Sequence, residues 1–149
     1  MKIQFKLPYP PSINSYYSIN KVGQKFLEKK VVQHRNMAII LINHQIKRSE
    51  FNLPIKEDVC LWLEIYPPDN RCRDIDNINK ATFDVIQHAG VIENDRLIKE
   101  QHARMFPKQC KLGQVRVCIT DMNSEDWFQS LYEGTQKVSG LFPGKCVSE

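Results

Sequence analysis

The spacing of apolar residues along the chain predicts four strands and two helices. Alternation over residues 2–7 predicts a first strand, and helical spacing over residues 27–47 predicts a long helix. A nearly continuous apolar run over residues 59–66 is typical of a central strand with both faces covered. The remaining predicted elements are a helix over residues 76–88 and strands near residues 97–106 and 114–122.

This order, β-α-β-α-β-β, predicts an α+β fold with helices packed on one mixed sheet. The chain has 149 residues, the length of one ordinary domain. We expect that domain to span residues 1–122. Residues 123–149 differ in character and predict a C-terminal extension, a short helix followed by a loose tail, whose role stays open.

The second helix carries the clearest buried face. Its apolar stripe is followed by Gly90, a residue that commonly ends helices. The residues predicted to face the core are Ile78, Thr82, Val85, Ile86 and Ala89.

Hydropathy and cysteine spacing favour a cytoplasmic protein. The longest uninterrupted apolar run covers residues 37–42, which is too short to span a bilayer. The amino terminus meets prolines before any apolar stretch of signal-peptide length. The five cysteines never form a CxxC pair, so neither a zinc ribbon nor a disulfide framework is predicted.

Charge is distributed unevenly along the chain. Residues 1–50 hold nine Lys or Arg against two acids, whereas residues 51–100 hold ten acids against six bases. A basic first third beside an acidic middle fits a polyanion-binding surface around a cation-binding pocket. A solvated lysine-rich face is an equally good explanation from charge alone.

The loop after the first strand supplies candidate nucleic-acid contacts. Tyrosines and amides interleaved with lysines suit phosphates and bases, although turn formation explains the Asn and Ser residues equally well. The candidates are Asn14, Tyr16, Tyr17, Lys21, Lys25, Lys29 and Lys30.

Three carboxylates form the candidate catalytic centre. Asp74 and Asp76 lie two residues apart where the central strand leads into the second helix, and Asp95 follows that helix. Converging carboxylates are what Mg²⁺ or Mn²⁺ needs, and such an ion activates water for phosphodiester hydrolysis. Lys80, one turn beyond Asp76, would add a charge for the developing negative charge at phosphorus.

Simpler interpretations remain open at this stage. Asp74 or Asp76 can serve as a helix cap, and Asp84 is expected to pair with Lys80 on an exposed face. Asp95 lies after the helix, so it needs a partner strand or a long loop to reach the other two aspartates. Arg71 and Arg73, just before the pair, are expected to hold the flanking DNA backbone.

Three ordered motifs give a resemblance to a known family. Residues 73–84, RDIDNINKATFD, resemble the signature R-D-x-D-N-x-x-K-x-x-x-D of the RusA-type Holliday junction resolvases. Residues 89–95, AGVIEND, match that family's second block, and residues 7–14, LPYPPSIN, match its start. The resemblance covers about residues 3–122.

The resemblance implies a small homodimeric, Mg²⁺-dependent endonuclease that cuts four-way DNA junctions symmetrically and is often encoded by phages or prophages. Matched by position, Asp74, Asp76 and Asp95 would bind the metal in one cluster and Lys80 would be the catalytic lysine. The arginine run before the pair is thinner here than in the family, so backbone contacts are expected either to be weaker or to shift toward the lysines of residues 21–30.

Two alternatives stay beside this function. One is a junction- or duplex-binding protein without catalysis, whose carboxylates serve as caps and surface charge. The other is a nuclease acting on flaps, other branched DNA or RNA. Metal-dependent cleavage separates the first alternative from a resolvase, and substrate competition separates the second.

Overall fold

The computed structural model describes residues 1–12, 16–108 and 111–122. These residues form two helices, α1 (Lys29–Gln45) and α2 (Ile75–His88). The strands in chain order are β1 (Lys2–Pro8), β2 (Tyr17–Ile19), β3 (Lys25–Leu27), β4 (Val59–Tyr66), β5 (Ile98–Met105) and β6 (Gln114–Asp121). Asn14 and the extension predicted over residues 123–149 lie outside the described residues.

The described part of the chain builds a four-stranded mixed sheet in the order β1-β6-β4-β5. β4 pairs with β5 in parallel and with β6 antiparallel, and β6 also pairs antiparallel with β1. A parallel pair requires a crossover connection, which α2 provides between β4 and β5. The predicted α+β architecture is confirmed.

β4 is the central strand, as its continuous apolar run predicts. One face carries Leu61, Leu63 and Ile65 into the main core, and all three are at most 2% exposed. The opposite face is also buried but includes polar groups, since Tyr66 donates a 2.9 Å hydrogen bond to Glu64. Burial raises the pKa of the Glu64 carboxyl.

The two helices cover the apolar face of the sheet. Ala38 and Ile42 of α1 pack in the same core as Ile3 and Phe5 of β1. Every residue predicted to face the core from the second helix is buried. The side-chain amide of Gln45 fixes α1 to the edge of β1, because it bonds both the N–H and the C=O of one β1 residue at 2.8 Å. None of the described helices has the length and apolar character needed to cross a membrane.

The segment between β1 and α1 differs from the sequence prediction. The pattern predicts a loop running into a helix at residue 27, but residues 17–27 form a two-stranded antiparallel hairpin of β2 and β3. The Asn20 side chain accepts hydrogen bonds from two backbone N–H groups of the turn, and Gly23 there adopts a φ of +81°. Strands of three residues are too short to show a period, so the pattern could not reveal them.

Candidate active site

The connection from β4 to α2 presents both members of the aspartate pair at the surface. Asp74 occupies the N-cap position of α2 and Asp76 lies in the first helical turn; both are exposed. Asp74 makes no side-chain capping bond, and its Oδ2 accepts a long, 3.5 Å hydrogen bond from the Asn77 side chain. A helix-capping hydrogen bond therefore does not explain why an aspartate stands at position 74.

Asp76, Lys80 and Asp95 line one groove of about 340 Å³, formed by α2, β5 and the turn before β5. We call this the acidic groove. Its lining residues are Asp76, Asn79, Lys80, Phe83, Asp84, Asp95 and Gln101. Three of the four predicted catalytic residues thus share one concave surface.

A short, well-tethered connection brings Asp95 back to α2. After the helix, Gly90 turns the chain with a φ of +65°. Two backbone hydrogen bonds of 2.9 Å then hold the chain: the Ile55 N–H donates to the Val91 carbonyl, and the Glu93 N–H donates to the Ile55 carbonyl. The Asn94 side chain then accepts a 3.0 Å hydrogen bond that begins the 3-10 turn Asp95–Leu97, which contacts α2. The sequence left this return path open.

The three aspartates do not all meet at one point. Asp74 lines a neighbouring groove rather than the acidic groove. Among the described residues, the group of three metal-ligating side chains with all ligand atoms within 4.8 Å of one another is a different set, Cys60, Glu100 and His102. Mutual repulsion of carboxylates favours such a spread of the aspartates.

Asp84 lies in the acidic groove, which corrects its predicted place on an exposed face. Its carboxyl is half-buried, and this burial raises its pKa, while the nearby Lys80 ammonium acts in the opposite direction. The negative charge of Asp95 also raises the pKa of Asp84. The spacing of Asp76, Lys80 and Asp84 at four-residue intervals on one helix was the sequence signal for this proximity.

Two further groove residues were not anticipated from the sequence. Asn79 is 5% exposed, and its buried Oδ1 has no hydrogen-bond partner among the described residues. Gln101 reaches the groove from β5. An unpartnered buried carbonyl oxygen is costly, so Asn79 marks a place where an external partner would be stabilising.

Lys30 and the two predicted arginines line the neighbouring groove, of about 500 Å³. We call it the arginine groove, after Arg71 and Arg73; Asp74 and Tyr9 also line it. Its walls come from the loop before α2, the chain after β1 and the start of α1. Positive side chains therefore lie directly beside the aspartate pair.

Asp69 holds both arginines in place. Its carboxylate accepts hydrogen bonds from Arg73 at 2.6 Å and from Arg71 at 2.8 Å, and these bonds hold the pKa of Asp69 well below its usual range. The Arg73 guanidinium also lies 5.4 Å from the centre of the Tyr9 ring. Arg71 remains exposed, whereas Arg73 is half-buried, so Arg71 offers the larger surface to a ligand.

The hairpin and the start of α1 carry the predicted lysines and tyrosines. All four lysines are exposed, and the Lys25 ammonium lies 4.2 Å from the centre of the Tyr17 ring. Tyr16 differs from the prediction: it is 8% exposed and packs against Val31 and Ala81. The Tyr16 ring therefore supports the hairpin and offers little surface to DNA. Burial raises the pKa of the Tyr16 hydroxyl to about 12.

The donor set of the acidic groove fits a hard divalent ion. The carboxylates of Asp76 and Asp95 and the unpartnered Asn79 oxygen are all oxygen donors, the type that Mg²⁺ and Mn²⁺ prefer. Asp74 stands at the edge of the adjoining arginine groove. The groove therefore combines metal-binding oxygens with a lysine.

Known proteins are similar to this chain over most of its described residues. A sequence model of the family described as Endodeoxyribonuclease RusA matches residues 8–120. Crossover junction endodeoxyribonuclease rusA of Enterobacteria phage 82 is 33% identical over 120 residues, which cover 80% of this chain and 94% of that protein. The Crossover junction endodeoxyribonucleases RusA of Shigella sonnei (strain Ss046) and Escherichia coli (strain K12) are each 30% identical over 119 residues, with the same coverage. Both grooves lie inside the matched region.

Proposed function

Because the chain belongs to the RusA family of endodeoxyribonucleases, we propose that it resolves four-way DNA junctions by paired, Mg²⁺-dependent hydrolysis of two phosphodiester bonds. The observation that carries the proposal is the acidic groove, where Asp76, Asp95 and Lys80 share one surface beside the arginine groove. The nuclease domain of this proposal is residues 1–122, and its DNA substrate places its action in the cytoplasm.

The carboxylates of Asp76 and Asp95 in the acidic groove, joined by Asp74 from the edge of the adjoining arginine groove, would hold the divalent ion, with Mn²⁺ able to replace Mg²⁺. When bound, the ion supplies Lewis-acid chemistry: it makes water more acidic and draws charge from the phosphoryl oxygens. The protein's part is to present these carboxylates at a site that the ion and DNA can reach. Asp74, Asp76 and Asp95 are all solvent-exposed.

Lys80 is proposed to stabilise the negative charge that develops on the phosphate. Its exposed ammonium lies in the same groove as Asp76 and Asp95, where a scissile phosphate would have to enter. Asp84 lies one turn further along α2, near enough for the positive charge of Lys80 to lower the pKa of the Asp84 carboxyl. Asp84 is therefore placed to restrain the lysine between substrates.

The flanking DNA is proposed to run over the arginine groove and the hairpin. Arg71 and Lys30 border the aspartate pair, and Lys21, Lys25 and Lys29 extend the positive surface. Lysine and arginine contacts to phosphates supply most of the affinity of such surfaces without reading the sequence. Tyr17, with about half of its side chain exposed, adds a flat apolar contact at the hairpin.

Paired cuts require two catalytic centres, so we propose a homodimer. The described part of one chain offers one acidic groove, and a symmetric dimer would present two such grooves to opposite strands of a junction. The expected products are nicked duplexes with 5′-phosphate and 3′-hydroxyl ends, which ligase can seal.

The deciding experiment is cleavage of a labelled four-way junction with Mg²⁺, beside a matched linear duplex and a chelator control. Metal-dependent paired nicks in the junction alone are the expected result. Tight junction binding with no product under Mg²⁺ or Mn²⁺ would show that the protein binds junctions without cutting them. Equal cutting of the duplex, or preferred cutting of flaps or RNA, would show that the four-way junction is not its specific substrate.

A further inference from the structure

Three side chains of metal-ligating type meet away from the acidic groove. Cys60 projects from β4, and Glu100 and His102 project from the neighbouring strand β5. Cys60 is paired with Glu100 in the parallel register, and His102 follows two residues later on the same face. The Cys60 sulfur, a Glu100 carboxylate oxygen and a His102 ring nitrogen all lie within 4.8 Å of one another.

The cluster and the acidic groove lie on opposite sides of β5. Gln101, between Glu100 and His102, lines the acidic groove, and successive residues of a strand point to opposite faces. Cys60 likewise points away from Leu61, which lies in the main core beneath the helices. The cluster thus shares no residue with the acidic groove, and Glu100 and Asp95 both border a depression at the outer edge of β5.

The ligand types select a different metal from that of the acidic groove. Sulfur and imidazole nitrogen are soft or borderline donors that suit Zn²⁺ and Co²⁺, whereas Mg²⁺ takes oxygen ligands. Zn–S and Zn–N bonds of about 2.3 and 2.0 Å place tetrahedral ligands roughly 3.5 Å apart. Atoms that already lie within 4.8 Å need only small side-chain rotations to close around such an ion.

The surroundings hold two of these side chains in place. The His102 ring stacks on Trp62, with 4.0 Å between ring centroids and 18° between ring planes. A His102 ring nitrogen also lies 2.9 Å from a Glu100 carboxylate oxygen. Cys60 itself is fully buried, while Glu100 and His102 are each about a quarter exposed, so an ion can enter from the side of β5.

A neighbouring hydroxyl is placed to support the cluster. Thr120 of β6 is paired with Cys60 across the sheet, and its buried Oγ1 makes no hydrogen bond to an oxygen or nitrogen of the described residues. Outer groups that bond metal ligands or bound water are a common feature of metal sites, and Thr120 can fill that role.

We propose that Cys60, Glu100 and His102 form a Zn²⁺ site that clamps the edge strand β5 to the central strand β4. The fourth position of the ion would be filled by water. β5 lies at the edge of the sheet, held by β4 on one side within the described chain, so a cross-strand ion would stabilise the strand that follows Asp95 and carries Gln101. The site does not depend on the nuclease activity.

The test uses Co²⁺ as a spectroscopic probe on the full, chelator-treated chain. Binding at Cys60 predicts a sulfur-to-Co²⁺ charge-transfer band in the near ultraviolet, tetrahedral visible bands, saturation at one ion per chain and displacement by Zn²⁺. Zn²⁺ should also raise the thermal midpoint of unfolding, because a ligand that binds only the folded state stabilises it.

Matched variants locate the site. Cys60→Ser should abolish the charge-transfer band, and His102→Gln should weaken Co²⁺ binding by at least about tenfold, the usual minimum for losing a ligand or its support. Cys72→Ser removes an exposed cysteine of the arginine groove, and Asp76→Asn alters the acidic groove; both should keep the band. Circular dichroism checks that each variant is folded. Where burial prevents Cys60→Ser from folding, Glu100→Gln serves as the second ligand variant and is judged by weaker Co²⁺ binding, because it keeps the sulfur that gives the band.

Two results would overturn the proposal. A band that survives in folded Cys60→Ser and His102→Gln would assign the metal to other side chains. Absence of any band or thermal shift at stoichiometric Co²⁺ and Zn²⁺ would leave Glu100 and His102 as a hydrogen-bonded pair beside a buried thiol.

Discussion

Asp76 is the residue on which the proposed chemistry depends most directly. It lies in the first turn of α2, is exposed, and shares the acidic groove with Asp95 and Lys80. Asp74, in contrast, opens toward the arginine groove, so the two members of the pair face different neighbours. A change at Asp76 should therefore affect the reaction more than the binding of DNA.

Asp76→Asn is expected to lower junction cleavage by about 10³-fold or more, because metal stabilisation of the transition state is worth several kcal/mol. Junction affinity measured by gel shift in chelator should stay within about twofold of the unchanged protein, since the variant keeps every positive side chain. Asp58→Asn is the matched control: Asp58 is an exposed aspartate outside both grooves, 3.8 Å from Lys99. Full cutting by Asp76→Asn would refute the metal assignment.

His34 makes the folded protein sensitive to acid. It lies on α1 and bonds the Pro8 carbonyl through Nε2 at 3.0 Å, and burial lowers its pKa below the usual value of 6.5. The folded state therefore disfavours the proton that the unfolded chain accepts. The stabilisation by neutral His34 is complete above about pH 6.5 and declines as the pH falls below it.

Urea unfolding at pH 7.5 and pH 5 checks this expectation. The unchanged protein should lose more stability between these two pH values than His34→Gln does, because glutamine can donate to the Pro8 carbonyl without titrating. Equal losses in both proteins would show that other groups dominate the acid response.

At the scale of elements, the hairpin is the clearest candidate for a DNA-binding part outside the sheet. It exposes Lys21 at its turn and Lys25 on β3, together with the apolar side chains of Ile19, Val22 and Phe26. Removing both lysines by Lys21→Ala with Lys25→Ala should weaken junction binding. The slope of log affinity against log salt should also fall by about 2, because each lysine that binds a phosphate contributes about 1 to that slope.

The control for the hairpin variant removes two lysines elsewhere. Lys47 and Lys56 are exposed, and their ammonium groups lie 3.2 Å from Glu50 and 3.9 Å from Glu93. The double variant Lys47→Ala with Lys56→Ala changes the net charge by the same amount as the hairpin variant. Binding measured by fluorescence anisotropy over a salt series should separate the two variants. Equal slopes for both would mean that the hairpin makes no particular contact with DNA.

The elements also differ in how far local pattern could predict them. α2 was predicted well, because its buried stripe repeats over four turns and Gly90 marks its end. β2 and β3 were missed, because each has three residues and their pairing depends on the turn around Asn20. The number of residues in an element, and not its hydrophobicity, decided whether the element could be predicted from the sequence.

At the scale of the whole molecule, the proposed dimer makes a prediction about products. In a mixture of unchanged protein with excess Asp76→Asn, most active dimers would carry one working groove. Singly nicked junctions should then accumulate at the expense of paired cuts. Gel analysis of both labelled strands, with sedimentation equilibrium for the oligomeric state, provides the measurement.

A monomeric enzyme would behave differently in that mixture. The ratio of single nicks to paired cuts would stay unchanged, and the rate would simply follow the amount of unchanged protein. Asp58→Asn in place of Asp76→Asn should also leave the ratio unchanged, because its acidic groove is intact.

The sequence alone determined the fold class, the main elements, the family and the identity of the charged residues around the site. Periodicity is a local property, so it shows in a single chain wherever an element is long enough. The ordered motifs around Asp74, Lys80 and Asp95 identified the family for a related reason, because residue types and the distances between them along the chain can be read directly from one sequence.

Only the tertiary structure decided which of these residues meet. It placed Asp95 with Asp76 but turned Asp74 toward the arginine groove, and it bound Arg71 and Arg73 to Asp69. It also joined Cys60 to two residues about forty positions away. These contacts follow from strand order and from the register of β4 with β5, which are set by the packing of distant segments and leave no trace in local spacing.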